Sequence, residues 1–197
     1  MNKLISIALI ALSMAGFSTA EPLDPAIAID GLEPAWRVPL SVSADGQTVA
    51  YCLMQGSRKQ PMLATDHYRS ETGVFAESIG TDIWVADSQT GEATNLTGGK
   101  GSNFAPVWSP KGRRLSFLSD RDGAVRLWIW EDGELRRVSP EIAWMEVGFD
   151  RPVWTPDGES LILKLLPSGM SVEEAATLEL AERNDDEQPD ALKRQSP

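Results

Sequence analysis

Histidine and cysteine are almost missing from this chain: His67 and Cys52 are the sole examples among 197 residues. Common structural zinc sites need four Cys or His ligands, so those arrangements are excluded. A serine nucleophile needs a His and an acid beside it, usually with the Ser on a G-x-S-x-G elbow. The nearest match is Gly16-Phe17-Ser18-Thr19-Ala20, which lacks the last Gly and lies at the extreme N-terminus. A lone thiol rules out an intrachain disulfide, and its strand-like apolar neighbours make Cys52 a buried, inert residue. Basic residues are also few. Eighteen Lys and Arg face 29 Asp and Glu, a net charge of −11, which repels phosphate backbones and anionic lipid. Neither nucleic acid nor a membrane surface is expected as a partner.

Weaker motifs fall away on inspection. Asp120-Arg121-Asp122-Gly123 lacks the third acid and terminal Glu of a calcium loop, and reads as a hairpin turn. Gly98-Gly99-Lys100-Gly101 satisfies neither the Walker pattern nor G-x-G-x-x-G, because Phe104 stands where the last Gly is needed. It reads as a link between repeats. Asn95-Leu96-Thr97 is a formal glycosylation sequon placed on an expected strand. No catalytic, cofactor-binding or metal-binding residue is assigned, and no cofactor is expected.

Long apolar runs are absent after the first twenty residues. Before that, Lys3 precedes an apolar stretch from Leu4 to Ala15, and the small residues Ser18 and Ala20 precede Glu21. This is the pattern of a signal peptide cleaved after Ala20, and the apolar stretch is shorter than the roughly 20 residues that span a bilayer. The expected location is the periplasm or the exterior. Residues 21–35 carry Pro22, Pro25 and Pro34 and read as an extended lead-in.

What the chain has in quantity is short β-like runs punctuated by glycine. Between Phe104 and Ser139, four such runs are separated by turns at Pro110-Lys111-Gly112, Asp120 to Gly123, and Glu131-Asp132-Gly133. Leu115 and Phe117 share one face, as do Val125, Leu127 and Ile129. Four hairpin-linked strands in about 40–45 residues is the size of one propeller blade. Pro106-Val107-Trp108-Ser109-Pro110-Lys111-Gly112 recurs 46 residues later as Pro152-Val153-Trp154-Thr155-Pro156-Asp157-Gly158. A weaker copy, Ser43-Ala44-Asp45-Gly46, lies 66 residues earlier. Trp84 and Trp128 are equivalent third-strand positions, so the tryptophans are expected to pack between blades rather than form a ligand cage.

The expected fold is therefore all-β, a partial propeller of about two and a half blades with a short C-terminal helix. Blade 1 covers 36–103 with an insertion at 55–80, blade 2 covers 104–148, and a partial blade 3 covers 149–170. Ser171 and Glu174 form a capping box that opens a helix over 171–183, and the polar residues 184–197 read as a disordered tail. The insertion reads as a long hairpin at a blade tip. Trp36, Val49, Tyr51, Leu161 and Leu163 are expected on the outer faces of the end blades, with self-association through open blade edges.

The W-S-P-x-G repeat, followed by Leu115-Ser116-Phe117-Leu118-Ser119-Asp120-Arg121-Asp122-Gly123, resembles the WD40-like repeats of bacterial periplasmic propellers. Over about residues 36–180, the chain is similar to the N-terminal propeller of secreted prolyl oligopeptidase-family serine peptidases, in the acylaminoacyl- and dipeptidyl-peptidase branch. That likeness rests on the early first repeat, the insertion before Thr81-Asp82-Ile83-Trp84, and the run from Pro152 to Gly158 leading to Leu166-Pro167-Ser168-Gly169-Met170. It implies a propeller that gates peptide substrates over a separate catalytic domain. None of that domain's Ser, Asp and His set is carried by this chain, so the resemblance implies a fragment with no activity of its own. Two alternatives stand beside it: a protein-binding propeller like the Tol system's periplasmic protein, and the propeller of an amidohydrolase fusion. The partner is then a peptide substrate or a protein.

Overall fold

The computed structural model describes residues 32–34, 40–55, 68–145 and 151–186. Three antiparallel sheets follow one another along the chain. The first contains β1 (Leu32–Pro34), β2 (Ser41–Val42), β3 (Thr48–Gln55), β4 (Thr81–Asp87) and β5 (Ala93–Asn95). Both β1 and β2 pair with one edge of β3, β1 at Leu53 to Gln55 and β2 at Val49 and Ala50. They act together as a single interrupted inner strand. The second sheet is the complete blade, β6 (Asn103–Trp108), β7 (Arg114–Ser119), β8 (Arg126–Glu131) and β9 (Glu134–Arg137), in sequence order. The third pairs β10 (Val153–Trp154) with β11 (Leu161–Ile162). A lone bridge between Ala143 and Leu165 repeats the interrupted inner edge of the first sheet.

Turn chemistry sets the hairpins. Asp132 and Gly133 take φ of 50° and 89° between β8 and β9, so both central residues are left-handed as a twisted two-residue hairpin requires. The register of β6 slips between Phe104 and Val107, where Ala105 sits at φ 53°. That bulge leaves Pro106, which cannot donate a ladder hydrogen bond, out of the pairing.

Alternation then decides what each blade buries. In β3, Ala50, Cys52 and Met54 are buried while Val49, Tyr51 and Leu53 are only half-buried. The buried set, with Ile83 from β4, faces blade 2. The backbone N–H of Trp108 donates to Ser41 Oγ at 2.8 Å across that junction, and Thr81 Oγ1 donates to the Asn103 carbonyl at 2.8 Å. Blade 2 is buried on both faces, with Leu115, Ser116 and Phe117 fully enclosed. Trp108 meets Trp130 edge-on at 6.1 Å. At the next junction Trp154 Nε1 donates to the Val107 carbonyl at 3.0 Å, and the Arg114 guanidinium binds the Gly158 carbonyl and lies 5.2 Å from the Trp154 ring. The blades thus stack inner strand beside inner strand, in one direction.

Two expectations about end faces need correction. Leu161 and Leu163 turn inward and pack on the core beside blade 2. Because side chains alternate, their neighbours Val153 and Ile162 are the ones exposed, at 53% and 64%. Trp36 lies outside the described residues. The helix α1 runs Val172–Asp186, beyond the expected end at Arg183. Ser171 Oγ accepts the Glu174 N–H at 3.1 Å, and Glu174 Oε2 accepts the Ser171 N–H at 2.8 Å, which is the capping box read from sequence. Val172, Ala175 and Ala176 bury this helix against Ile142, Trp144 and Leu166.

Candidate recognition face

An antiparallel meander brings the same kind of connection to the same end of every blade. The links β3 to β4, β5 to β6, β7 to β8 and β9 to β10 therefore share one end of the stack. The turns at 43–46, 87–92, 109–113, 131–134 and 155–160 share the other.

Three turns of that other end are each braced by an acid of their own. Asp45 Oδ1 accepts from Ser43 Oγ at 2.6 Å and from the Gln47 N–H at 3.0 Å. Asp157 does the same with Thr155 Oγ1 and the Glu159 N–H. Asp87 Oδ1 accepts the Gln89 and Thr90 N–H groups, each at 2.8 Å. These hydrogen bonds hold all three carboxyls below their ordinary range, the hydroxyl donors leading at Asp45 and Asp157 and the Thr90 amide at Asp87. Such local pairs brace turns.

The loop end is built differently, and the insertion of blade 1 builds it. Residues 68–72 form a helical turn, closed by Gly73 at φ 85° with its N–H on the Arg69 carbonyl at 2.8 Å. Val74 and Ile79 are then buried, with the 3₁₀ turn Ala76–Ser78 between them. Tyr68 donates its hydroxyl to Asp120 Oδ2 at 2.5 Å and lies 3.3 Å from Ser102 Oγ. Asp120 Oδ1 accepts the Ser102 N–H at 2.6 Å, and the Val125 N–H reaches the Thr72 carbonyl at 2.9 Å. The segment therefore crosses from blade 1 over the link between β7 and β8.

Arg69 carries it further. Its guanidinium lies 3.8 Å from the Phe75 ring centre and 4.7 Å from that of Trp144. Nη2 donates to Glu179 Oε2 of α1 at 2.6 Å and to the Met145 carbonyl at 3.3 Å. One side chain thus joins the insertion, the approach to blade 3 and the C-terminal helix. Within the long insertion expected over 55–80, the described residues 68–80 form an integral layer. His67 lies outside the described residues.

The glycine run at 98–101 is committed to structure. The Gly99 N–H donates to Asp82 Oδ1 at 3.1 Å and the Gly98 N–H to Asn95 Oδ1 at 2.9 Å. Asp82, buried beneath them, also accepts from Thr97 Oγ1 at 2.8 Å and from Asn103 Nδ2 at 3.3 Å. Amides already aimed at protein acceptors do not cradle a phosphate. The Asn95 side chain belongs to the same network, donating to Asp82 Oδ2 at 3.2 Å. Burial pushes the Cys52 thiol well above its ordinary range, as an inert cysteine requires.

Beside this layer, a cleft of about 10 Å³, room for little more than one water, opens between blades 2 and 3, lined by Leu118, Trp144, Met145, Arg151 and Leu163. That is below the roughly 300–1,000 Å³ of small-molecule pockets. Sequence reasoning missed Tyr68, Arg69, Asp82 and Asp120 as organisers. The available signal was an acid at the start of β4 and just after β7, next to hydroxyl residues.

Together these features define a run of β-propeller blades with a layered loop face. No family model matches the sequence. The uncharacterized peptidase YuxL of Bacillus subtilis is 34% identical over 112 residues, which is 55% of this chain and 16% of that protein. An uncharacterized protein of Agrobacterium fabrum is 43% identical over 86 residues, 44% of this chain and 22% of its own length. Among solved structures, TolB of Acinetobacter baumannii superimposes with a TM-score of 0.44 at 19% identity, covering 71% of this chain and 28% of that one. The chain spans about a sixth to a fifth of the length of the curated relatives it matches. Among the described residues, no helix is long and apolar enough to cross a membrane.

Proposed function

We propose that this chain is the non-catalytic propeller portion of an exported prolyl oligopeptidase-like peptidase. Its loop face receives extended peptide and directs it. The observation that carries the reading is the insertion layer of residues 68–80, anchored through Tyr68 to Asp120 and through Arg69 to Glu179. An irregular segment held this firmly on a blade scaffold presents a shaped surface where loops commonly bind. The identity of 34% over 112 residues with a peptidase of Bacillus subtilis supports the peptide class. The N-terminal twenty residues, outside the described part, support export.

The test is a titration of short fluorescein-labelled peptides into the purified chain, followed by anisotropy and by mass spectrometry of the peptides. Saturable binding of some sequences with their masses unchanged is expected. Cleavage by the chain, or flat anisotropy across the whole peptide set, contradicts the proposal. Capture of folded envelope proteins together with flat peptide titrations favours the Tol-type reading instead.

A further inference from the structure

Arg69 and Arg114 are half-buried cations, and each meets a carboxylate, Glu179 at 2.6 Å and Glu159 at 3.4 Å. Arg126, half-buried as well, has no ion-pair partner among the described residues. Its hydrogen bond, from Nη1 to the carbonyl of its neighbour Val125, is long at 3.4 Å, and its Nε is enclosed without an acceptor. Acids are not scarce, since Asp and Glu outnumber Lys and Arg by 29 to 18. Two further arginines stand beside it. Side chains alternate along β8, so Arg126 and Trp128 share a face, and Arg137 of β9 lies opposite Trp128 on that face. The Arg121 guanidinium is 5.1 Å from the Trp128 ring, with Nη2 on the Thr97 carbonyl at 3.0 Å and Nε buried and unpaired. Arg137 is exposed and meets Asp122 only at 3.8 Å. Burial first, then the Arg137 charge, hold the Arg126 guanidinium below its ordinary range, against the pull of Glu141 and Asp122. Arg121 is drawn by Asp122 and by the buried Asp82.

All three arginines lie at the loop end: Arg121 in the link from β7, Arg126 at the start of β8 and Arg137 at the end of β9. The spot adjoins the insertion layer, because Val125, next to Arg126, donates its N–H to the Thr72 carbonyl. A half-buried cation short of partners carries a desolvation cost that an incoming anion offsets. A guanidinium fork matches a carboxylate with two parallel hydrogen bonds. We propose that Arg126 and Arg137, backed by Arg121 over Trp128, form a carboxylate-binding site for a peptide lying on the loop face. This rests on the peptide reading above and adds its selectivity: the preferred peptide places an acidic side chain, or its own terminal carboxylate, here. With Asp122 and Glu141 close by, a singly charged group fits better than a polyanion. The exposed pair of Arg137 with Asp122 is weak enough to give way.

Anisotropy titrations with the purified chain test this. The probes are short fluorescein-labelled, C-terminally amidated peptides of one sequence, with Glu or Gln at a single position scanned along it. A further probe is the Gln peptide with a free C-terminus. A Glu peptide or the free-acid peptide should bind about ten-fold tighter than its neutral twin, and the gap should narrow as salt rises. Which of the two shows the gap identifies the source of the carboxylate. Arg126→Gln and Arg137→Gln should abolish the gap while leaving the affinity of the neutral peptide unchanged. Arg137 is exposed, so its variant tests the site even where Arg126→Gln lowers the melt. Arg126→Lys keeps the charge without the fork and should retain part of the gap. Arg113→Gln removes an exposed charge at the opposite end of the blades and should change nothing. Equal binding of acidic and neutral peptides, a gap that survives in the Arg126 and Arg137 variants, or a gap lost as fully in Arg113→Gln overturns the site and leaves the peptide reading standing. Flat titrations for every peptide overturn both.

Discussion

Arg69 and Glu179, 110 positions apart in sequence, meet at 2.6 Å, with the guanidinium held between the rings of Phe75 and Trp144. This contact ties the insertion of blade 1 to the C-terminal helix, and so fastens both ends of the blade stack across its middle. The Arg69 side chain is 16% exposed and that of Glu179 31%.

That asymmetry gives the first prediction. Arg69→Ala removes the cation from two rings and strands a partly buried carboxylate, at a cost of about 2–3 kcal/mol. Glu179→Ala leaves the ring contacts in place and should cost about 1 kcal/mol. Urea melts give both values, and hydrogen exchange should quicken along α1 in Arg69→Ala. Equal costs for the two variants would make the ion pair, rather than the aromatic stack, the main link.

Trp108 is 7% exposed, and its indole N–H is buried without an acceptor. Trp108→Ala should cost about 3–5 kcal/mol through the cavity it leaves. Trp108→Phe keeps most of the ring volume and removes an unpaired donor, so its cost should be below about 2 kcal/mol. Denaturant melts of the pair separate packing from hydrogen bonding. A loss under about 1 kcal/mol for the alanine variant would put Trp108 on the surface.

Gly101 and Gly91 both have positive φ, 71° and 75°, but only Gly101 is crowded. A Cβ there would come within 2.7 Å of Asp120 Oδ1 and 2.8 Å of the Arg121 backbone, whereas at Gly91 it would meet nothing within 4 Å. Gly91→Ala should cost about 1–2 kcal/mol from the left-handed backbone alone. Gly101→Ala should cost clearly more, because the clash opens the Asp120 network under Tyr68. Thermal melts of both variants check the order, and equal costs would contradict it.

Burial keeps the Cys52 thiol protonated in the folded chain beyond its ordinary range. Above about pH 8.5 the unfolded thiol ionises while the folded one does not. The unfolded state then binds fewer protons, so stability falls as pH rises. The Cys52→Ala variant should lose less stability than the parent between neutral and alkaline pH. In the parent, iodoacetamide should modify Cys52 only after denaturant is added. Rapid labelling of the native chain would contradict the burial.

Much of the blade pattern could be read from residues that act locally. Pro110-Lys111-Gly112, Asp132-Gly133 and the Ser171–Glu174 box each fix a turn or cap through their own backbone chemistry. The repeat of Trp108 at Trp154 carried that pattern to the next blade. The insertion could not be read this way. Val74 and Ile79 are buried through an irregular segment with no period, and Tyr68 and Arg69 find their partners 52 and 110 positions away. Asp82 and Asp120 look like ordinary strand and turn acids in sequence, yet Asp82 gathers four donors from the link at 95–103 and Asp120 joins Tyr68 of the insertion to Ser102. The end-face error at Leu161 and Leu163 has a simple cause. Both neighbouring positions of β11 are apolar, so alternation alone did not say which set points inward.

The account rests on the loop end of the stack being the recognising end. Hydrogen exchange of the chain with and without a bound peptide measures that directly. The account predicts slower exchange over residues 68–80, 98–102 and 120–125, with the turns at 43–46, 109–113 and 155–160 unchanged. Protection confined to those turns would contradict it.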